Sequence, residues 1–215
     1  VVFKYSARKR TQKVPKMNYL PVEKSLQAVF VHSMPLSPAQ TGRIATLCNA
    51  LLLAGEVQLT KIARFLKGEN QQDSRVRWIK RLLEADFVSQ ERVYQPLLKH
   101  VLEAFHESSW HVVIDRTALW EGVDLATIAL NYRKRAIPLV WTCVPYGGAS
   151  EATYIQLLRR CVPLVPTNVQ VIFHGDTEFG HSEMIRTLRE MGWDFMLAQP
   201  SHCGFRSSIN ASSLP

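Results

Sequence analysis

Apolar residues recur at spacings of three and four through residues 38–66, and after residue 109 they gather into short unbroken runs. In the first stretch Ile44, Leu47, Cys48, Leu51 and Leu52 share a helical face until Gly55 interrupts it. Leu59, Ile62, Ala63 and Leu66 repeat the pattern in a short helix that ends near Lys67-Gly68. Asp73 or Ser74 is placed to cap a third helix, with Val76, Ile79, Leu82 and Leu83 as its apolar stripe. Arg75, Arg77, Lys80 and Arg81 fall largely off that stripe, with Trp78 among them. Residues 87–93 are expected to add a short wing strand, and residues 96–106 a further helix.

The runs after residue 109 predict strands at 110–115, 124–132 and 137–145, the last two joined by the short link Arg133-Lys134-Arg135. A helix at 151–161, a strand at 169–174, a helix at 179–191 closed by Gly192, and a strand at 194–198 complete the order. Three strands followed by helix, strand, helix, strand read as a meander continued by crossovers. The expected fold is α/β: a mixed sheet covered by helices, with the first and fourth strands as parallel neighbours at its centre.

Charge divides the chain in the same place. Residues 1–99 hold 17 Lys+Arg against 7 Asp+Glu, a net +10, whereas residues 100–215 hold 9 against 11, a net −2. A basic first half beside a weakly acidic second half suggests a polyanion-binding region joined to a separate catalytic or structural one. The expected layout is a basic, poorly ordered segment at 1–34 and a helical, helix-turn-helix-like DNA-binding domain at 35–108. A catalytic domain at 109–200 and an irregular tail at 201–215 follow. In the helical domain a short helix, a turn and a longer basic helix would let Lys61, Arg64, Arg75, Arg77, Lys80 and Arg81 reach phosphates or base edges. A plain helical bundle with a solvated basic face has the same pattern.

No apolar run approaches the ~20 residues of a membrane helix, and no apolar segment follows the basic start, so neither a membrane partner nor a secretory leader is expected. Cys48, Cys143, Cys161 and Cys203 are scattered without a CxxC pair, which favours free thiols over zinc or disulfides. No P-loop, nucleophile elbow or dinucleotide fingerprint is present.

Two aspartates sit where predicted strands run out: Asp115 after Val112-Val113-Ile114, and Asp176 after Val171-Ile172-Phe173-His174-Gly175. Carboxylates at the matching ends of neighbouring buried strands can share Mg²⁺, which takes hard oxygen ligands in tight geometry. Gly175 would let backbone and nucleic acid approach beside Asp176. Glu178 follows as a group near the metal or an acid at a helix start, and His174 and His181 flank the site. Arg116 would hold a phosphate or offset the charge of Asp115.

Ile114-Asp115-Arg116-Thr117-Ala118-Leu119-Trp120, Ile137-Pro138-Leu139-Val140-Trp141 and Gly175-Asp176-Thr177-Glu178-Phe179-Gly180 resemble bacterial insertion-sequence transposases of the DDE type. The resemblance covers roughly residues 35–200. It implies an RNase H-like catalytic domain, with Asp115 and Asp176 as catalytic ligands for Mg²⁺ or its substitute Mn²⁺. It also implies double-stranded DNA (transposon ends and target) as partner, allows a homodimer on that DNA, and places the protein in the bacterial cytoplasm at the nucleoid. The activity implied is Mg²⁺-dependent DNA strand cleavage and strand transfer at element ends. The family's third ligand is a glutamate on a later helix. Ser201 to Pro215 hold no Asp or Glu, so the chain is expected to correspond to the first, C-terminally truncated part of such an enzyme. The alternatives are a catalytically incomplete DNA-binding protein that occupies element ends and, further off, a hydrolase of small phosphate esters.

Overall fold

In the computed structural model, which describes residues 20–68 and 71–198, Ser37 opens helix α2 (Pro38–Ala54) with a reciprocal cap. Its hydroxyl accepts the Gln40 amide at 3.3 Å, and Gln40 Oε1 accepts the Ser37 amide at 2.9 Å. Gly55, at φ 65°, ends the helix in the left-handed conformation. Ile44 and Ala45 of α2 pack with Phe30 and Met34, whereas Ala50 packs with Ile62, Ala63, Leu66 and Ile79. Phe30 belongs to α1 (Leu20–Ser33). The segment expected to be irregular as far as residue 34 is therefore helical from Leu20, because Leu26 and Phe30, four apart, find one apolar face to cover. The basic stretch 4–16 and the tail 201–215 lie outside the described residues.

Helix α3 (Leu59–Ile62) runs into a 3₁₀ turn, Ala63–Phe65, and α4 (Gln72–Leu83) follows. Ile79 and Leu82 are buried, but Leu83 is 49% exposed, so the apolar stripe of α4 is narrower than its sequence suggests. The wing strand expected at 87–93 does not form. Ser89 instead accepts the Arg92 amide at 3.2 Å and starts a π-helical turn, Gln90–Tyr94, that leads into α5 (Gln95–Leu102). Phe87, Val93 and Leu97 pack into the cluster of Phe30 and Ile44, and the four-residue spacing of Val93 and Leu97 suits a helix rather than a strand.

The chain divides into two compact units, Val1–Leu97 and Leu98–Pro215. The second is built on a five-stranded sheet in the order β3-β2-β1-β4-β5. Strands β1 (Ser109–Trp120), β2 (Val123–Tyr132) and β3 (Arg135–Pro145) form an antiparallel meander. Strand β4 (Gln170–Gly175) lies parallel to β1, and β5 (Asp194–Leu197) parallel to β4. The crossovers are α6 (Glu151–Cys161) and α7 (Ser182–Glu190). This is the mixed α/β sheet that the order of apolar runs predicts, with β1 extending five residues past its expected end. Val112, Ile114, Ala126, Ile128, Val140 and Phe173 are buried on one face, as are Leu157 and Leu158 of α6 and Met184 and Leu188 of α7. The other face leaves His111 and Asp115 exposed and Val113, Thr127, Ile172 and His174 half-buried. No helix among the described residues is long and apolar enough to cross a membrane.

Candidate functional site

Strands β1 and β4 pair from Ser109↔Gln170 to Val113↔His174, a constant offset of 61 positions (170 − 109). The same offset carries Asp115 onto Asp176, two positions beyond the last paired residues. Asp176 still has extended backbone there, at φ −79° and ψ −171°. Side chains alternate along a strand, so both aspartates belong to the face of Val113 and His174, away from the packed core. Both are exposed. Asp176 Oδ1 accepts the Glu178 amide at 3.0 Å, and Asp115 Oδ2 accepts the Thr117 hydroxyl at 3.4 Å. The second oxygen of each carboxylate remains for a ligand.

His111 and His174 occupy the same face. Their rings stack with centroids 5.1 Å apart, and His111 Nδ1 lies 2.9 Å from His174 Nε2, so one imidazole donates to the other. Burial, and then the neighbouring His111, hold the His174 imidazole below its ordinary range. The pair satisfies itself, which gives His174 a partner other than the aspartates. His181 precedes α7 and makes no capping bond with its side chain.

Arg116 corrects an expectation. Being next to Asp115 in a strand, it belongs to the opposite face, and it neither offsets Asp115 nor waits for a phosphate. Its guanidinium donates to Asp124 at the start of β2 and, from Nε, to Glu178 Oε2 at 2.8 Å. The Glu178 bond, with that to Asp124, raises the Arg116 pKa above its ordinary value. The other oxygen of Glu178 accepts the Tyr154 hydroxyl at 2.6 Å, and that hydroxyl accepts the Ala149 amide at 3.1 Å. Burial first, and then this bond to Glu178, push the Tyr154 phenol up. With both oxygens engaged, Glu178 is a brace for the turn after Asp176 and not a third ligand. Gly148, at φ 113°, closes the group: a Cβ there would meet Glu178 Oε1 at 3.0 Å.

Gly175 also has a different role from the one expected. A Cβ on it would lie 2.9 Å from Leu197 Cδ2 and 3.1 Å from both Ile114 Cγ2 and Phe179 Cβ. The missing side chain serves close packing inside the protein rather than the approach of nucleic acid.

The six basic residues of the helical unit separate into two groups. Arg77, Lys80 and Arg81 are exposed and spaced three and four apart, making one strip along α4. Arg64 is also exposed. Lys61 instead pairs with Glu56 at 2.7 Å, and Arg75 donates to the carbonyls of Ala63 and Gly68, which fastens α4 to the preceding turn.

Among the described residues, no three His, Cys, Asp or Glu side chains gather where they could hold a metal ion together. Asp115 and Asp176 offer two hard oxygen donors, which suits Mg²⁺, an ion that is commonly held by one or two carboxylates and keeps several waters. No protein-family model matches the chain, and no curated protein matches it. The functional reading therefore rests on the geometry of the two units. Sequence reasoning reached Asp176 through its strand end. It reached Asp115 through the end of an apolar run, but β1 continues to Trp120, and Asp115 pairs with Thr127 within the ladder to β2. It missed the brace of Arg116, Asp124, Glu178 and Tyr154, whose members are up to 62 residues apart and share no local pattern.

Proposed function

We propose that this chain is a DNA-handling protein of the DDE-transposase type. In this reading the sheet unit is RNase H-like, with Asp115 and Asp176 as ligands for Mg²⁺ or Mn²⁺. The helical unit binds double-stranded DNA through Arg77, Lys80 and Arg81. The observation that carries the proposal is the register: parallel β1 and β4 bring two exposed carboxylates to equivalent positions at the open end of their ladder. The strand order β3-β2-β1-β4-β5 supports it, since β1 is then the central strand and Asp176 follows the C-terminal end of its parallel neighbour β4, where an α/β sheet collects ligands.

A bound divalent ion would polarise a phosphodiester for attack. The chain's own residues would hold that ion with Asp115 and Asp176, and keep Asp176 in place through the turn that Glu178 and Arg116 brace. The reaction class is DNA strand cleavage and transfer at element ends. A second reading, DNA binding without catalysis, is favoured by one observation: among the described residues only two carboxylates share the site, and Glu178 is spent on Arg116 and Tyr154.

Mn²⁺ titration of the full chain, followed by electron paramagnetic resonance of the free ion, tests the site. Binding should disappear in Asp115→Asn and in Asp176→Asn while circular dichroism stays unchanged. Equal Mn²⁺ binding in both variants and the wild type would remove the basis of the proposal. Mg²⁺-dependent nicking that Asp115→Asn abolishes would decide for catalysis over binding alone.

A further inference from the structure

The turn between β2 and β3 holds the only non-glycine residues with positive φ among those described: Arg133 at 47° and Lys134 at 64°. Tyr132 pairs with Arg135, so these two fill both central positions of a two-residue hairpin loop. Positive φ at both positions is the type I′ form of such a loop, and Asn-Gly is the pair that takes it most readily. A side chain with a Cβ is disfavoured there. The chain nevertheless places two cations in the loop and a third, Arg135, immediately after.

All three are exposed, and none joins an ion pair within the described residues. Arg133 lies over the Tyr132 ring, 5.0 Å from its centroid, and that ring stands 4.5 Å from the ring of Phe105. The tip is thus anchored at its base and free at its charged end. Residues 100–215 contain 9 Lys+Arg in all, and three of them stand here, on a half of the chain whose net charge is −2. No exposed large apolar side chain lies at the turn, which argues against insertion into a membrane surface.

We propose that the Arg133-Lys134-Arg135 turn is a contact for the phosphate backbone of duplex nucleic acid, retained in spite of its backbone strain. The proposal rests on the DNA reading above. It adds a contact in the sheet unit, at the end opposite the aspartates. Thr127 pairs with Asp115 and lies six residues before Arg133, so the turn stands about 20 Å from Asp115 along β2. A duplex touching both would span about six base pairs at ~3.4 Å each.

The test is the double variant Arg133→Asn with Lys134→Gly in the full chain, because strain and function then move in opposite directions. Its melting temperature should rise by about 5 °C, as relief of left-handed strain predicts. Its affinity for a short duplex should fall roughly tenfold, and the slope of log K against log salt should become shallower by about two. Arg133→Gln with Lys134→Gln keeps the strain and should lose affinity without gaining stability. Duplex binding and a salt slope that survive both double variants overturn the proposal. If Arg77→Ala with Arg81→Ala abolishes binding and the turn variants do not, this proposal alone falls. If the wild-type chain binds no duplex, the DNA reading falls with it. Capture by phosphatidylserine vesicles in place of DNA would also overturn it.

Discussion

Arg116→Met removes the guanidinium but keeps an unbranched apolar stem, and so tests the brace directly. Asp124 is only 2% exposed, and its partners are Arg116 and, at 3.3 Å, the Gly147 amide. Its Oδ1 is buried without a hydrogen-bond partner. The variant therefore strands a buried carboxylate, and removing one member of a buried pair costs about 3–5 kcal/mol. The Glu178 bond adds little: Arg116 and Glu178 are 24% and 26% exposed, and pairs that accessible are worth about 0–1 kcal/mol. The expected loss is therefore about 3–5 kcal/mol. Urea unfolding of the full chain at neutral pH, followed by circular dichroism and tryptophan fluorescence, measures it. Arg116→Met combined with Asp124→Asn should recover most of the loss, because no buried carboxylate is then left without its partner. A loss below about 1 kcal/mol, or no recovery in the double variant, would refute the idea that Arg116 holds Asp124 as a buried charge.

Two further outcomes follow from contacts already described. Gly175→Ala forces a methyl to within 2.9 Å of Leu197 and 3.1 Å of Ile114, and should cost about 1–3 kcal/mol; an unchanged melting temperature would mean that β1, β4 and β5 separate freely. Lys67, bonded to Glu23 of α1, holds the Glu23 carboxyl below its usual range, so this pair stabilises above the ordinary carboxylate range and the benefit is lost as acid protonates Glu23. Lys67→Met should cost less than about 1 kcal/mol at neutral pH and nothing in strong acid, and a deficit that persists in strong acid would count against the pairing.

Legibility followed the range of the interaction that makes each feature. Helix α6 could be read to the residue at both ends, because its apolar period is local. The parallel β1–β4 pair was readable too, since the order of strands and crossovers leaves few topologies. Leu20–Ser33 and Gln90–Tyr94 were misread because tertiary contacts decide them: Leu26, Phe30, Phe87 and Val93 meet in one cluster across more than 60 residues (93 − 26 = 67). Arg116 shows the harder limit. Neighbours in a strand project to opposite faces, so the residue beside Asp115 is the one least able to share its site. The partner that Arg116 does find, Glu178, lies two positions past Asp176, inside the 3₁₀ turn Thr177–Phe179 that follows the strand. The two aspartates could be read locally because each ends an apolar run. What holds them at equivalent positions could not, because it runs from residue 116 on one strand to residue 178 beyond another, through the covered face of the sheet.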